Sequence, residues 1–305
     1  MALHAPARPG TLAVLLASLR LRSLTVAAVS SVVGTAALVP GRAVQPLIAA
    51  GCLLLSLLLQ AGTNVLNDAE DALTGADDYA GSGASLSMRQ SWISPAQARM
   101  IAAVLFAAAA VLGVTIALGA HRPGLLLLGL VAIVVGWAYT APPFRLAYRP
   151  LGEAASGLPM GLGIVWGTAA AQTSTVPNAV WWAGAALALL TAAILHANNA
   201  RDRVHDLAVG KRTLATRLSD DSVVLEFRLL MAGVPLVLAA GLLTRGLPWW
   251  CLLAVIPAAL AVRSATRAHR HLDAMGWTMR LIECVQIHLL TGLSLGAGLV
   301  LSAVR

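Results

Sequence analysis

The chain has 305 residues, of which 58% are hydrophobic and only 11% charged. Soluble domains carry about 25% charged residues, so an ordinary water-soluble globule is excluded. The net charge of +8 does not point to nucleic acid as a partner. The basic residues lie in short stretches between apolar runs, where membrane orientation and anionic lipid explain them.

In chain order, residues 1–19 read as a flexible N-terminal segment. Arg8, Arg20 and Arg22 lie near the start, but no small-residue cleavage site follows them, so the first apolar stretch reads as a retained span. Apolar runs near the length needed to cross a bilayer then recur. They predict nine spans, at about 23–40, 46–66, 96–119, 124–140, 152–171, 179–199, 223–243, 247–264 and 281–303. The expected fold class is all-α, a polytopic bundle of nine transmembrane helices around a central cavity, in a single domain over 1–305. With the N-terminus inside, the inward segments hold seventeen of the 21 Lys/Arg. The outward side keeps Arg42, Arg122, Arg245 and Arg305, which satisfies the positive-inside rule.

Within the spans, the glycines of the fifth and ninth (among them Gly157, Gly161, Gly292 and Gly298) read as contacts for close helix packing. The eight tryptophans read mainly as an interfacial belt. Cys52, Cys251 and Cys284 form no paired pattern and read as small buried apolar residues. Glu283 and His288, five apart in the last span, share no face and receive no role. His196 reads as a pore-lining polar residue.

Two polar stretches stand out where spans end. Continuing the second span as a helix places Asn64, Asn67, Asp68 and Asp71 at relative positions 0, 3, 4 and 7. Continuing the sixth places Asn199, Asp202 and Asp206 at 0, 3 and 7, with Asn198 beside them. Each set falls on one helical face. Carboxylates one turn apart do not easily stay ionised together without a cation between them. Hard oxygen ligands suit Mg²⁺, which takes its remaining oxygens from water and substrate phosphate. Lys211 and Arg212, one to two turns further on, suit the oxygens of a diphosphate. The two motifs are separated by four crossings, so both are expected on the cytoplasmic face.

Together, Asn-x-x-Asn-Asp-x-x-Asp-x-x-x-Gly-x-Asp from Asn64 and Asn-Asn-x-Arg-Asp-x-x-x-Asp-x-x-x-Gly-Lys-Arg-Thr-Leu from Asn198 resemble the UbiA superfamily of intramembrane prenyltransferases. The likeness is greatest to its 1,4-dihydroxy-2-naphthoate branch, and it runs from about Arg20 to the C-terminus. The resemblance implies transfer of a prenyl group from a polyprenyl diphosphate to an aromatic acceptor within the bilayer of the cell's inner membrane. It further implies two Mg²⁺ ions held by Asp68, Asp71, Asp202 and Asp206 and bridged by the diphosphate. The stretch from Tyr139 to Glu153 resembles another family segment, which places Tyr139 and Arg145 towards the site. Its Ala141-Pro142-Pro143-Phe144-Arg145 differs from the Gly-Gly-Pro-Phe-Pro expected of the naphthoate branch. Arg22 occupies the place of an arginine that opens the first span there. Other acceptors (4-hydroxybenzoate, a related naphthoate, homogentisate, a tetrapyrrole) stand as alternatives, and so does a cation-coupled transporter.

Overall fold

The structure is a computed structural model and describes residues 9–21, 23–76 and 85–304. Among these residues all regular secondary structure is helical. In chain order the α-helices are α1 (Thr11–Ser18), α2 (Thr25–Ala36), α3 (Pro46–Thr74), α4 (Leu86–Arg89), α5 (Pro95–Gly119), α6 (Gly124–Thr140), α7 (Gly152–Gly157), α8 (Ile164–Gln172), α9 (Asn178–Ala208), α10 (Leu214–Arg217), α11 (Asp220–Leu243), α12 (Val255–Arg267) and α13 (Ala274–Leu301). A π-helical turn, Leu158–Gly163, joins α7 to α8, and a 3₁₀ turn, Trp249–Ala254, leads into α12.

Seven helical stretches among the described residues are long and apolar enough to cross a membrane. They are Pro46–Thr74, Pro95–Gly119, Gly152–Gln172, Asn178–Ala208, Asp220–Leu243, Trp249–Arg267 and Ala274–Leu301. The other two expected spans, α2 and α6, are apolar but shorter, at 12 and 17 residues. At 1.5 Å per residue they fall short of a hydrocarbon layer about 30 Å thick.

Local chemistry sets several of the helix starts. Proline, whose missing N–H costs nothing in a first turn, opens α3 and α5. A reciprocal capping box precedes α5: Ser94 Oγ accepts from the Gln97 amide, and the Ser94 amide donates back to Gln97 Oε1. Ser219 and Asp273 cap α11 and α13 with their side chains. The N-terminal stretch expected to be flexible contains α1, whose Val14 and Ser18 are buried. Ser18 Oγ lies 2.8 Å from Ser87 Oγ, which joins α1 to α4. Residues 1–8 lie outside the described residues.

Helix α9 is the centre of the bundle. It buries 67% of its apolar window, against 28% for α3 and for α5, and it packs against α7, α11, α13 and the π turn. Small residues make this possible. A Cβ built on Gly161 would lie 2.2 Å from the Ala188 amide nitrogen, and one on Gly157 would lie 2.7 Å from the Ala188 carbonyl oxygen. On α13, a Cβ on Gly298 would meet the backbone of Cys251 at 2.8 Å. The glycines therefore serve close helix approach, as expected. Tryptophan usage is more mixed than a belt. Trp249 and Trp250 stack at a span end with ring centroids 3.9 Å apart, while Trp277 is buried edge-on against Phe227.

Candidate active site at one end of the bundle

Both polar motifs are helical, as their spacing predicts. Helix α3 runs eight residues beyond the expected end of its span, to Thr74, and α9 runs nine beyond, to Ala208. Gly75 ends α3 at φ 74°, a left-handed conformation that glycine adopts without steric cost. Gly210 does the same after α9, at φ 76°. The turn at Gly210 folds the chain back, so that the Lys211 amide donates to the Asp206 carbonyl at 2.8 Å. The Lys211 ammonium then lies 3.6 Å from Asp206 Oδ1.

The two motifs meet at the same end of the bundle. His205 Nε2 lies 2.9 Å from the Gly75 carbonyl oxygen and, since a carbonyl only accepts, must carry the proton. A second link comes from the 3₁₀ turn Leu146–Tyr148 between α6 and α7. The Tyr148 hydroxyl donates to Asp71 Oδ1 at 2.5 Å and lies 2.7 Å from Thr74 Oγ1. On the other side, the Arg212 amide donates to the Tyr148 carbonyl at 3.2 Å. The Lys211 ammonium sits 5.2 Å from the centre of the Tyr148 ring, and the Arg145 guanidinium 5.5 Å from it. Tyr148 thus holds Asp71 and Lys211 in one constellation. Burial and the Asp71 charge push its phenol pKa up, so it remains a donor at neutral pH.

The four aspartates differ in their partners. Asp68 is buried, forms an ion pair with Arg20 and accepts the Ser85 amide at 3.1 Å. Asp71 also accepts from Asn67 Nδ2, at 2.6 Å. Asp202 receives Arg201 Nε and Nη2 at 2.5 and 2.6 Å, and Asn198 Nδ2 at 3.3 Å. Asp206 is close enough to Asp202 and Asp71 for their charges to act on it. Its Oδ2 is buried and has no hydrogen-bond partner.

The remaining site residues named from sequence divide. Asn64 is turned to Ser23, donating to its hydroxyl at 2.8 Å. Asn199 donates to Glu153 at 2.9 Å, which takes it out of the aspartate group. Arg145 reaches Glu70 at 3.8 Å, and Glu70 is buried and held by Arg99 at 2.7 Å. Tyr139 keeps accessible surface on α6 and lies within range of the charges on Glu153, Asp71 and Arg20. Arg212 contributes its backbone amide and leaves its side chain exposed. Arg22 lies outside the described residues.

Sequence reasoning missed three groups. Arg20, two residues before the arginine singled out, is the one paired with Asp68. Tyr148 stood in a recognised stretch, but only the contacts from α3 and the Lys211 turn reveal its place. Glu153, His196 and Glu226 converge from three helices, and no spacing in the chain announces that. His196 does not line a pore: it is wholly buried.

The fold and the site together define a helical membrane protein whose paired acidic motifs are clasped at one end of the bundle. Residues 27–283 match the UbiA prenyltransferase family, to which the chain belongs. It is a prenyltransferase and a multi-pass integral membrane protein. A 1,4-dihydroxy-2-naphthoate octaprenyltransferase of Escherichia coli K12 is 30% identical over 292 residues, 94% of this chain and 95% of that one. The enzyme of the same name from Mycobacterium tuberculosis is 32% identical over 220 residues, 70% of this chain and 71% of that one. Among solved structures, a UbiA homologue of Archaeoglobus fulgidus bound to DMAPP and Mg²⁺ superposes with a TM-score of 0.64 at 16% identity, covering 93% of this chain and 99% of that one. The apo structure of a UbiA homologue from Aeropyrum pernix K1 gives 0.68 at 18% identity, covering 92% and 98%.

Proposed function

We propose that this prenyltransferase acts on 1,4-dihydroxy-2-naphthoate, using a polyprenyl diphosphate as donor and Mg²⁺ as cofactor. The observation that carries the diphosphate site is the clasp of Asp71, Tyr148, Lys211 and Asp206, which brings both acidic motifs to one end of the bundle. The relatives named above support the acceptor. The proposed setting is the inner membrane, with nine helical segments around a central cavity, the short α2 and α6 completing their crossings through flanking turns and local thinning of the layer, and the motifs facing the cytoplasm.

The residues present fit a divalent metal. Asp206 has a buried oxygen without a hydrogen-bond partner, and each Asp71 oxygen, accepting one bond, retains a lone pair. Asp68 and Asp71 on α3, with Asp202 and Asp206 on α9, would hold two Mg²⁺ ions through hard oxygen atoms. Bound there, Mg²⁺ would offset the charge that develops on a departing diphosphate.

The chain's own groups act around that step. Lys211 is buried and cationic, and is aimed at the same charge as the allylic C–O bond ionises and its electron pair leaves with the diphosphate. Tyr148 fixes the direction of Asp71, and Asn67 and Asn198 orient Asp71 and Asp202. Apolar helix walls exclude water from the allylic cation. The naphthoate ring then forms a C–C bond through the carbon that bears the carboxylate. Loss of that group as CO₂ returns its electron pair and restores the aromatic ring. The products are demethylmenaquinol, pyrophosphate and CO₂.

The test is pyrophosphate release by the purified protein with geranyl diphosphate and Mg²⁺, in parallel with 1,4-dihydroxy-2-naphthoate and 4-hydroxybenzoate. Release with the naphthoate alone, together with CO₂, is the expected outcome. Preference for 4-hydroxybenzoate would refute the acceptor and leave the prenyl transfer standing.

A further inference from the structure

A second polar cluster lies deeper in the bundle than the aspartates. Glu153 on α7, His196 on α9 and Glu226 on α11 bring one ligand atom each to within 4.8 Å of the others. His196 is fully buried, Glu153 is buried and Glu226 is partly so. The imidazole packs among Phe227 and Trp277, with ring centroids 6.5 and 6.2 Å away.

Hydrogen bonding decides the tautomer. His196 Nε2 lies 2.9 Å from the Val223 carbonyl oxygen, which can only accept, so Nε2 carries the proton. In the neutral ring, Nδ1 is therefore a lone pair. It faces Glu226 Oε2 at 3.3 Å and Glu153 Oε1 at 3.7 Å. Nδ1, Glu226 Oε2 and Glu153 Oε2 are all buried without a hydrogen-bond partner. Electron-rich atoms aimed at one another in an apolar setting require a cation between them.

A second proton on the imidazole would make only long contacts at these separations. Charge-assisted N–H···O bonds close to about 2.7–2.9 Å, and one proton leaves the two carboxylates with a net negative charge in a partly enclosed setting. A divalent ion matches both charge and distance. Metal–ligand bonds of about 2.0–2.1 Å in a tetrahedral shell set the ligand atoms roughly 3.4 Å apart, between the two separations found. Two carboxylates and a neutral imidazole balance the ion's charge. The Nε2–H···O=C bond is the usual orienting contact of a ligating histidine, and Asn199 donates to Glu153 Oε1 at 2.9 Å in a similar supporting role.

We propose that Glu153, His196 and Glu226 form a divalent metal site of the zinc class, separate from the aspartate motifs. The imidazole favours zinc or cobalt over Mg²⁺, which prefers oxygen. The ion would join α7, α9 and α11. Because His196 precedes Asp202 by six residues, it would brace α9 about 9 Å along the axis from the aspartates.

The test uses the full-length protein in detergent, stripped by chelator and then titrated with Co²⁺ in the presence of excess Mg²⁺. The expected result is one retained equivalent of Co²⁺, a visible spectrum of mixed nitrogen and oxygen ligation, and a higher melting temperature. Glu226→Gln, at the accessible edge, should weaken Co²⁺ binding by at least roughly tenfold. His196→Gln should abolish the nitrogen signature, whereas Asp202→Asn should keep it. Three outcomes overturn the proposal: no retained Co²⁺ in the wild type, unchanged binding in Glu226→Gln, or retention that depends on Asp202 instead. The first, with a doubly protonated His196 seen by ¹⁵N NMR, would assign the cluster to a proton.

Discussion

Tyr148→Phe removes one oxygen atom from the contact that joins the two motifs. The hydroxyl donates to Asp71 at 2.5 Å; Asp71 is buried and Tyr148 is half-buried. A hydrogen bond to a charged group contributes about 1.5–3 kcal/mol. Phenylalanine keeps the ring on which Lys211 and Arg145 rest, so the loss falls on the direction of Asp71 rather than on packing. If Asp71 must hold its orientation for turnover, kcat/KM should drop roughly 10- to 100-fold. Melting temperature should change by only a few degrees. The assay is pyrophosphate release from geranyl diphosphate at saturating acceptor, with Tyr148→Leu in parallel. The leucine variant also loses the ring and should be worse. Burial and the Asp71 charge raise the phenol pKa, so the protonated form is favoured in the folded chain. Its contribution is complete below the ordinary tyrosine value of about 10 and is withdrawn only as pH rises above it. Activity between pH 6 and 9 should therefore show no ionisation that disappears in Tyr148→Phe. A Tyr148→Phe enzyme within twofold of wild type would refute the clasp as a functional element.

The other predictions concern the same end of the bundle. Asp68→Asn, Asp71→Asn, Asp202→Asn and Asp206→Asn should each lower kcat by at least about 100-fold with the fold retained by circular dichroism; near-normal turnover in any two would defeat the metal assignment. Lys211→Ala should lose roughly one to two orders of magnitude in kcat/KM, mostly in kcat, and Lys211→Arg should recover part of it; an unaffected Lys211→Ala would remove the lysine from the mechanism. Arg145→Ala should raise KM for the acceptor more than for the diphosphate, and the reverse pattern would place Arg145 on the diphosphate. Tags inserted in 209–219 and 268–273 should be cytoplasmic and one following Arg305 external, as accessibility labelling would report; 209–219 on the outer side would break the proposed orientation.

Much of this was legible because both motifs obey a single local rule. Helical spacing fixes which side chains of α3 and α9 share a face, and it extended both helices beyond their apolar spans. Composition set the all-helical membrane class for the same reason, since only internally bonded helices fit long apolar runs. Partner choice was not legible. Asn64 satisfies the spacing, yet its amide is taken by Ser23, 41 residues earlier. Asn199 satisfies it too, but it points to Glu153 on α7. The arginine beside Asp68 turned out to be Arg20, which lies in a turn with a left-handed φ of 50° before α2. Contacts of this kind depend on how helices far apart in sequence come to lie side by side, and no local periodicity records it.

The division of labour within the site follows from the same geometry. In the proposed reading the acidic motifs face a diphosphate, which every donor of this kind shares, so they have no means of choosing an acceptor. Discrimination must come from groups that are near the aspartates but not required for the diphosphate. Tyr139, Arg145 and Arg20 meet that description: they approach from α6, from the turn after it and from the chain before α2. Arg145 has its charge partly balanced by Glu70, which Arg99 also holds. Substitutions in the turn from Ala141 to Arg145 would then alter the proposed acceptor site while α3, α9 and their carboxylates stay in place. On that proposal, a chain can carry the acidic motifs of the naphthoate branch together with a differing Ala141-Pro142-Pro143-Phe144-Arg145 turn. In the proposed reading the turn bears on the ring that is prenylated, and the motifs bear on the bond that is broken.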